Sequence, residues 1–202
     1  SRFARRLAFS TAVVVGSLVV APRAHAAFHL WNIHELYTNS SGTLQFIELS
    51  TSFGGMNFVA GQQIQITSGG QTHTFTVPDN LNTSADTTNK TFLIGTAGLH
   101  AAGGPTPDFT MPAGFLFPGG GTISFFGANS GPYTALPTDG MLSKTFGDGT
   151  AVNSPQNFAG QLGQVVVPEP AGLALLLFGA VSCLIYLALR GRACSSRQAR
   201  VC

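Results

Sequence analysis

Nineteen consecutive residues, Ala171 to Leu189, carry no charge, and Arg190-Gly191-Arg192 follow at once. As a helix rising about 1.5 Å per residue, such a run reaches roughly 28 Å, close to the hydrocarbon thickness of a bilayer. The sequence therefore predicts a transmembrane helix over 171–189. A second apolar run, Leu7 to Val20, follows Arg2, Arg5 and Arg6 and leads into Ala24-His25-Ala26 before Ala27. It is too short to span comfortably, since roughly 20 residues are needed. An arginine-rich start, a short apolar stretch and small residues at a cleavage point form the pattern of a secretory signal peptide over residues 1–26. Ala24, Ala26 and Ala27 then make the signal peptidase site. Arginines stand outside both runs, so the positive-inside bias assigns Arg190, Arg192 and the basic tail 190–202 to the cytoplasm. Everything between the runs falls outside it.

Charge divides along the same boundaries. The formal net charge is +2, yet between Ala27 and Val167 seven acids stand against only Lys90 and Lys144, which leaves that body near −5. Such a body has no positive stripe with which to displace counterions, so nucleic acid is excluded as a partner. The three cysteines, Cys183, Cys194 and Cys202, all lie in or beyond the second apolar run. The body takes no disulfide and must rest on its own core, for which its length suffices.

Val167-Pro168-Glu169-Pro170, a short spanning segment and a terminal arginine cluster together resemble the PEP-CTERM sorting signal of Gram-negative bacteria. The resemblance covers 167–202 and implies recognition of Val167, Pro168, Glu169 and Pro170 by an exosortase, a membrane cysteine peptidase. The precursor would sit in the inner membrane with its body outside the cytoplasm, and the mature form at the cell surface or in an extracellular polysaccharide matrix. The tail runs on from Ala193 to Cys202, further than the pattern usually does. Residues 161–170 read as a linker that lets the peptidase reach the motif.

The body is rich in glycine, threonine and phenylalanine, and no window in it carries a sustained helical stripe. Short runs recur instead: Phe28 to Tyr37, Thr43 to Thr51, Gln62 to Thr67, Thr72 to Val77, Thr91 to Thr96, Phe115 to Phe117, Thr122 to Phe126 and Met141 to Phe146. Gln63-Ile64-Gln65-Ile66-Thr67 alternates as a half-buried strand does, and Ser68-Gly69-Gly70 joins it to a second alternating run. Strands of this length cut by turns predict an all-β, antiparallel, immunoglobulin-like sandwich over 27–160. Asn153 to Val166 is polar and reads as a last edge segment.

Ile33-His34-Glu35-Leu36, a turn, Gln45-Phe46-Ile47-Glu48-Leu49 and the later Asp139-Gly140-Met141-Leu142-Ser143-Lys144 resemble strands of bacterial lamin-tail-like domains. This resemblance implies an immunoglobulin-like sandwich used as an interaction module.

No catalytic constellation stands out. There is no Gly-x-Ser-x-Gly elbow and no twelve-residue calcium loop, and the body offers no thiol. Asp139-Gly140 and Gly147-Asp148-Gly149 read first as turns. His29, His34, Glu35 and Glu48 form the one cluster with acid–base or metal chemistry. On a regular strand His34 and Glu35 point to opposite faces, while Glu35 and Glu48 meet across a hairpin. Trp31, Tyr37 and Tyr133 are the residues that could stack on sugar rings, with Trp31 also suited to a core. The expectation is a non-enzymatic surface or matrix protein without metal or cofactor, with structural or adhesive work. Its partners are signal peptidase, exosortase, the membrane in the precursor, and exopolysaccharide. The alternatives are a carbohydrate-binding module and a divalent-metal-dependent hydrolase built on Glu35 and Glu48.

Overall fold

Alternating and doubly apolar strands sort into two sheets. The computed structural model describes residues 29–147, 149–167, 177–183 and 186. The signal peptide with Ala24, Ala26 and Ala27, the motif residues Pro168, Glu169 and Pro170, and Arg190 and Arg192 lie outside these residues. Residues 177–183 are α-helical. Among the described residues no helix is long and apolar enough to cross a membrane.

The strands are β1 (Asn32–Thr38), β2 (Gln45–Thr51), β3 (Gln63–Ser68), β4 (Gln71–Thr76), β5 (Lys90–Gly95), β6 (Phe109–Thr110), β7 (Gly121–Phe125), β8 (Asn129–Tyr133), β9 (Leu142–Thr145) and β10 (Gly149–Val152). One sheet has the order β10-β9-β1-β2-β5-β6 and the other β4-β3-β7-β8. All pairings are antiparallel except β5 with the two-residue β6. The protein is thus a two-sheet β-sandwich.

Ile64 and Ile66 of β3 and Ile123 and Phe125 of β7 face Ile33, Leu36, Ile47, Leu49, Phe92 and Ile94 of the larger sheet in one buried cluster. Phe92 is its hub. Trp31 meets Phe92 edge-on at 4.7 Å, and Phe125 reaches it from the opposite sheet at 6.2 Å, the offset geometry aromatic rings prefer. The Trp31 indole N–H donates to the Met56 carbonyl at 2.8 Å, which satisfies its one polar atom in the interior. The β3–β4 hairpin turns through Gly69 and Gly70 at φ 55° and 80°. A two-residue turn with both φ values positive matches the twist of the strands it joins, and glycine enters that region without a Cβ clash.

One expected strand is absent and three short ones are added. Phe115 to Phe117 is not a strand, although Phe115 and Leu116 are buried. Its backbone finds side chains instead of a neighbouring strand. Gln45 Oε1 accepts from Leu116 N–H and Gln45 Nε2 donates to Leu116 C=O, both at 3.0 Å. The Tyr133 hydroxyl donates to Phe117 C=O at 3.1 Å and accepts from Phe117 N–H at 3.2 Å. Strands β6, β8 and β10 occur where the sequence suggested none. All three are edge strands, and in β8 and β10 Gly131, Pro132 and Gly149 are tolerated because one side of the ladder is unpaired.

The linker expectation is corrected as well. Residues 153–167 fold back over the outer face of the larger sheet as a strap. Val165 is fully buried with Tyr37, Phe46, Leu93 and Leu99 in a second apolar cluster. Val167 N–H donates to Gly140 C=O at 3.2 Å, so 161–167 belongs to the fold and the body extends past 160. Gly140, at φ 79°, lets this end dock, since a Cβ there would collide with the Val167 carbonyl oxygen.

Candidate functional site

The chemistry-bearing side chains gather on the outer face of the larger sheet, under the strap. They are brought together by an irregularity in β1. Ile33 pairs with Leu49 and Glu35 with Glu48, so His34 and Glu35 together oppose one residue of β2. An extra residue on one strand of an antiparallel pair is a β-bulge, and it turns both of its residues to one side. Ile33 and Leu36, three apart, consequently both enter the core. The expectation that His34 and Glu35 face opposite ways fails for this reason. Ligand atoms of His34, Glu35 and Glu48 all lie within 4.8 Å of one another.

Their hydrogen bonds say what they hold. Glu48, 2% exposed, accepts from His34 Nδ1 at 2.7 Å with one oxygen and from Gln156 N–H at 2.6 Å with the other. Glu35 accepts from Ser154 N–H at 3.1 Å, with the Ser154 hydroxyl at 3.5 Å from its second oxygen. Asp108 Oδ2 accepts from Phe158 N–H at 2.9 Å and from Leu93 N–H at 2.8 Å. The N–H groups of residues 154, 156 and 158 each find a carboxylate, from Glu35 on β1, Glu48 on β2 and Asp108 just before β6. Pro155, between the first two, has no N–H to leave unpaired. Three carboxylates thus tie this part of the strap to the larger sheet, while the strap also pairs with itself between Gln156 and Leu162.

The electrostatics follow from this burial. Glu48's hydrogen bond raises the His34 pKa above 6.5 despite partial desolvation, and the charge of Glu48 and of Glu35 adds to it. Burial pushes the Glu35 carboxyl up, opposed by hydrogen bonds from Ser143 and Ser154. Burial also pushes Asp108 up, against its bonds from Leu93 and Phe158. His34 is half exposed on its side chain while Glu48 is enclosed, and the two make the one ion pair among the described residues. The oxygens a divalent cation would use already accept hydrogen bonds from His34 and the strap amides.

The aromatic residues expected to meet sugars are inside. Trp31 and Tyr37 are fully buried and Tyr133 is 6% exposed. Tyr37 stacks on Phe46 at 5.2 Å and donates its hydroxyl to Gly140 C=O at 3.2 Å. Burial pushes the Tyr133 phenol up to about 12, in keeping with its part in clamping Phe117. None of the three offers a ring face to a ligand, and the sugar-stacking expectation is corrected for each.

Sequence reasoning passed over Asp108, Asn153, Ser154, Gln156 and Phe158. The one available signal was the alternation Ser154-Pro155-Gln156-Asn157-Phe158, a proline set between potential donors. Asn153, 1% exposed, accepts from Val165 N–H and donates to Val165 C=O, both at 2.7 Å. Its amide therefore pins the far end of the strap as Gln45 pins Leu116.

A search with protein-family models finds no match to this chain, and searches against curated proteins and solved structures find none either.

Proposed function

We propose that the chain is an exported cell-surface or extracellular-matrix protein whose sandwich does structural or adhesive, non-catalytic work. Signal peptidase cuts after Ala26, and an exosortase acts at Val167-Pro168-Glu169-Pro170. The precursor is held in the inner membrane by the 171–189 helix with Arg190 and Arg192 on the cytoplasmic side. The observation that carries this reading is the order of segments in the sequence, an arginine-led apolar run, an acidic cysteine-free body, then Val167-Pro168-Glu169-Pro170, an uncharged run and an arginine cluster. Val167 itself is docked, its N–H on Gly140 C=O, and the Pro-Glu-Pro residues follow it in the sequence. A cut there removes the membrane segment and leaves the strap and every buried carboxylate in place. The immunoglobulin-like, lamin-tail-like reading of the body is supported by the two packed sheets and by the structural use of Glu35 and Glu48 from the Ile-His-Glu-Leu and Phe-Ile-Glu-Leu strands. A non-catalytic role is supported by the same acids, whose oxygens are occupied in holding the strap. Mass spectrometry of the mature protein from native cells tests the proposal. A C-terminus within or beside 167–170 is expected, and an intact tail through Cys202 overturns it.

A further inference from the structure

A cleft of about 480 Å³ opens beside the strap, between the loop carrying Asn80 and Asn82 and the turn at Phe158 and Ala159. That volume lies in the range of small-molecule sites. Its floor includes Phe109, and its walls carry Lys90 and Asp108. Asp108, Asn80 and Asn82 are each fixed at one side-chain atom and open at another. Asp108 gives Oδ2 to the fold, and its Oδ1 takes no hydrogen bond among the described residues. Asn80 Oδ1 accepts from Ala60 N–H at 2.9 Å and Asn82 Oδ1 from Ser84 N–H at 3.0 Å. Both amide planes are thereby held while their NH2 groups remain for a ligand. Lys90 sits on β5, and neither it nor Asp108 takes part in an ion pair among the described residues.

We propose that this cleft binds a neutral sugar, as a mono- or disaccharide unit of a glycan, with Asp108 Oδ1 accepting a hydroxyl hydrogen and Asn80, Asn82 and Lys90 donating to sugar oxygens. Three donors and one charged acceptor, set around the apolar walls of Phe109 and Phe158, match a ring that carries hydroxyls at its rim and C–H bonds on its faces. Among the lining residues the charges of Lys90 and Asp108 balance, and Asp86, close enough to Lys90 for that charge to help lower its carboxyl, adds a negative charge nearby. The body around it is acidic, which repels anionic sugars and acidic polymers. Burial raises the Asp108 carboxyl, and a more basic carboxylate is a better acceptor of a hydroxyl hydrogen. The site differs from the buried aromatics and from the His34 cluster, and it deepens the surface-protein reading by naming what such a protein would hold.

The test is isothermal titration and saturation-transfer NMR on the full chain, in a detergent without a sugar headgroup. The probes are glucose, galactose, mannose, N-acetylglucosamine, cellobiose and glucuronate. Saturable binding of at least one neutral probe is expected. Asp108→Asn is expected to weaken it at least tenfold and Lys90→Gln severalfold. Because Asp108 also holds Leu93 and Phe158, Ala159→Trp supplies a variant that fills the cleft without deleting a hydrogen bond, and it should abolish binding at unchanged Tm. Absence of binding by every neutral probe up to about 10 mM, undiminished binding in Ala159→Trp, or a preference for glucuronate over glucose would each overturn the proposal. Its failure leaves the export reading standing, because that reading is decided by the mature C-terminus and not by binding.

Discussion

Removing the Asn153 side chain should unpin the strap. Its amide makes three hydrogen bonds, with Val165 N–H and C=O at 2.7 Å and with Met141 C=O at 2.6 Å. Met141 C=O keeps a partner in Asn153→Ala, because the Asn153 backbone N–H also donates to it at 3.0 Å. Val165, fully buried, loses the partner of both its backbone groups. An orphaned buried group costs about 1–3 kcal/mol, so with two of them the variant should lose about 2–6 kcal/mol. For a domain of this length each kcal/mol moves the midpoint by roughly 3–4 °C, and Tm should fall by roughly 10 °C. Urea unfolding can be followed through Trp31, the single tryptophan, which sits in the core. The midpoint should drop with the slope unchanged, and the Val165 amide should lose protection against hydrogen exchange. Asn153→Asp keeps the acceptor and turns a carboxylate toward two carbonyls, so its deficit should shrink on acidification while that of Asn153→Ala stays constant. A loss below about 0.5 kcal/mol in Asn153→Ala, or unaltered protection of Val165, would refute the account of the strap.

Stability should also depend on pH through the same face. The folded pKa of His34 is raised above 6.5, so its contribution is complete below the unfolded value and is lost as pH rises through the folded one. Glu35 and Asp108 are raised above 4.5 and 3.8. The folded state holds those protons where the unfolded chain has released them, and stability again falls as pH rises out of the carboxylate range. Tm should therefore decline from mildly acidic to alkaline pH, and in His34→Asn the part of the decline above about pH 6.5 should vanish. Gly140→Ala forces a Cβ into a left-handed position against the Val167 carbonyl. It should cost at least 1–2 kcal/mol for the backbone alone, read by calorimetry. Because the oxygens of Glu35 and Glu48 already hold His34 and the strap, adding calcium or zinc should raise Tm by less than about 1 °C and chelation should leave it unchanged. A concentration-dependent rise would identify metal binding.

What the sequence made legible follows from how many faces of a strand are covered. Strand β3 alternates because only Ile64 and Ile66 point inward, and its hairpin with β4 could be read directly from the residues. Strands β1, β2 and β5 are buried on both faces, by the core and by the strap, so Phe46-Ile47 and Phe92-Leu93-Ile94 run apolar without alternation. They read as strands, but not as strands beneath a further layer. The bulge at His34 and Glu35 had no marker in residue type, and without it the two side chains separate in any reading by periodicity. Phe115 to Phe117 has the composition of a strand, and only the distant Gln45 and Tyr133 determine that side chains take the place of its ladder. The strap read as an edge segment running into a linker because polar residues stand there. Their polarity serves buried carboxylates and amides rather than water.

The strap also sets a timetable. Ser154 meets Glu35 across 119 residues of chain, and Gln156 meets Glu48 across 108. Synthesis delivers the chain from its N-terminal end, so both sheets are complete in sequence before the segment that covers Tyr37, Phe46 and Leu93 appears. Until then an apolar patch and two acids lie uncovered on a nearly finished sandwich, a state open to association with other chains. Contacts this distant in sequence form slowly. The half-built domain is therefore most vulnerable just before its last fifteen residues arrive, and a chain stopped anywhere before Asn153 would keep that vulnerability for good.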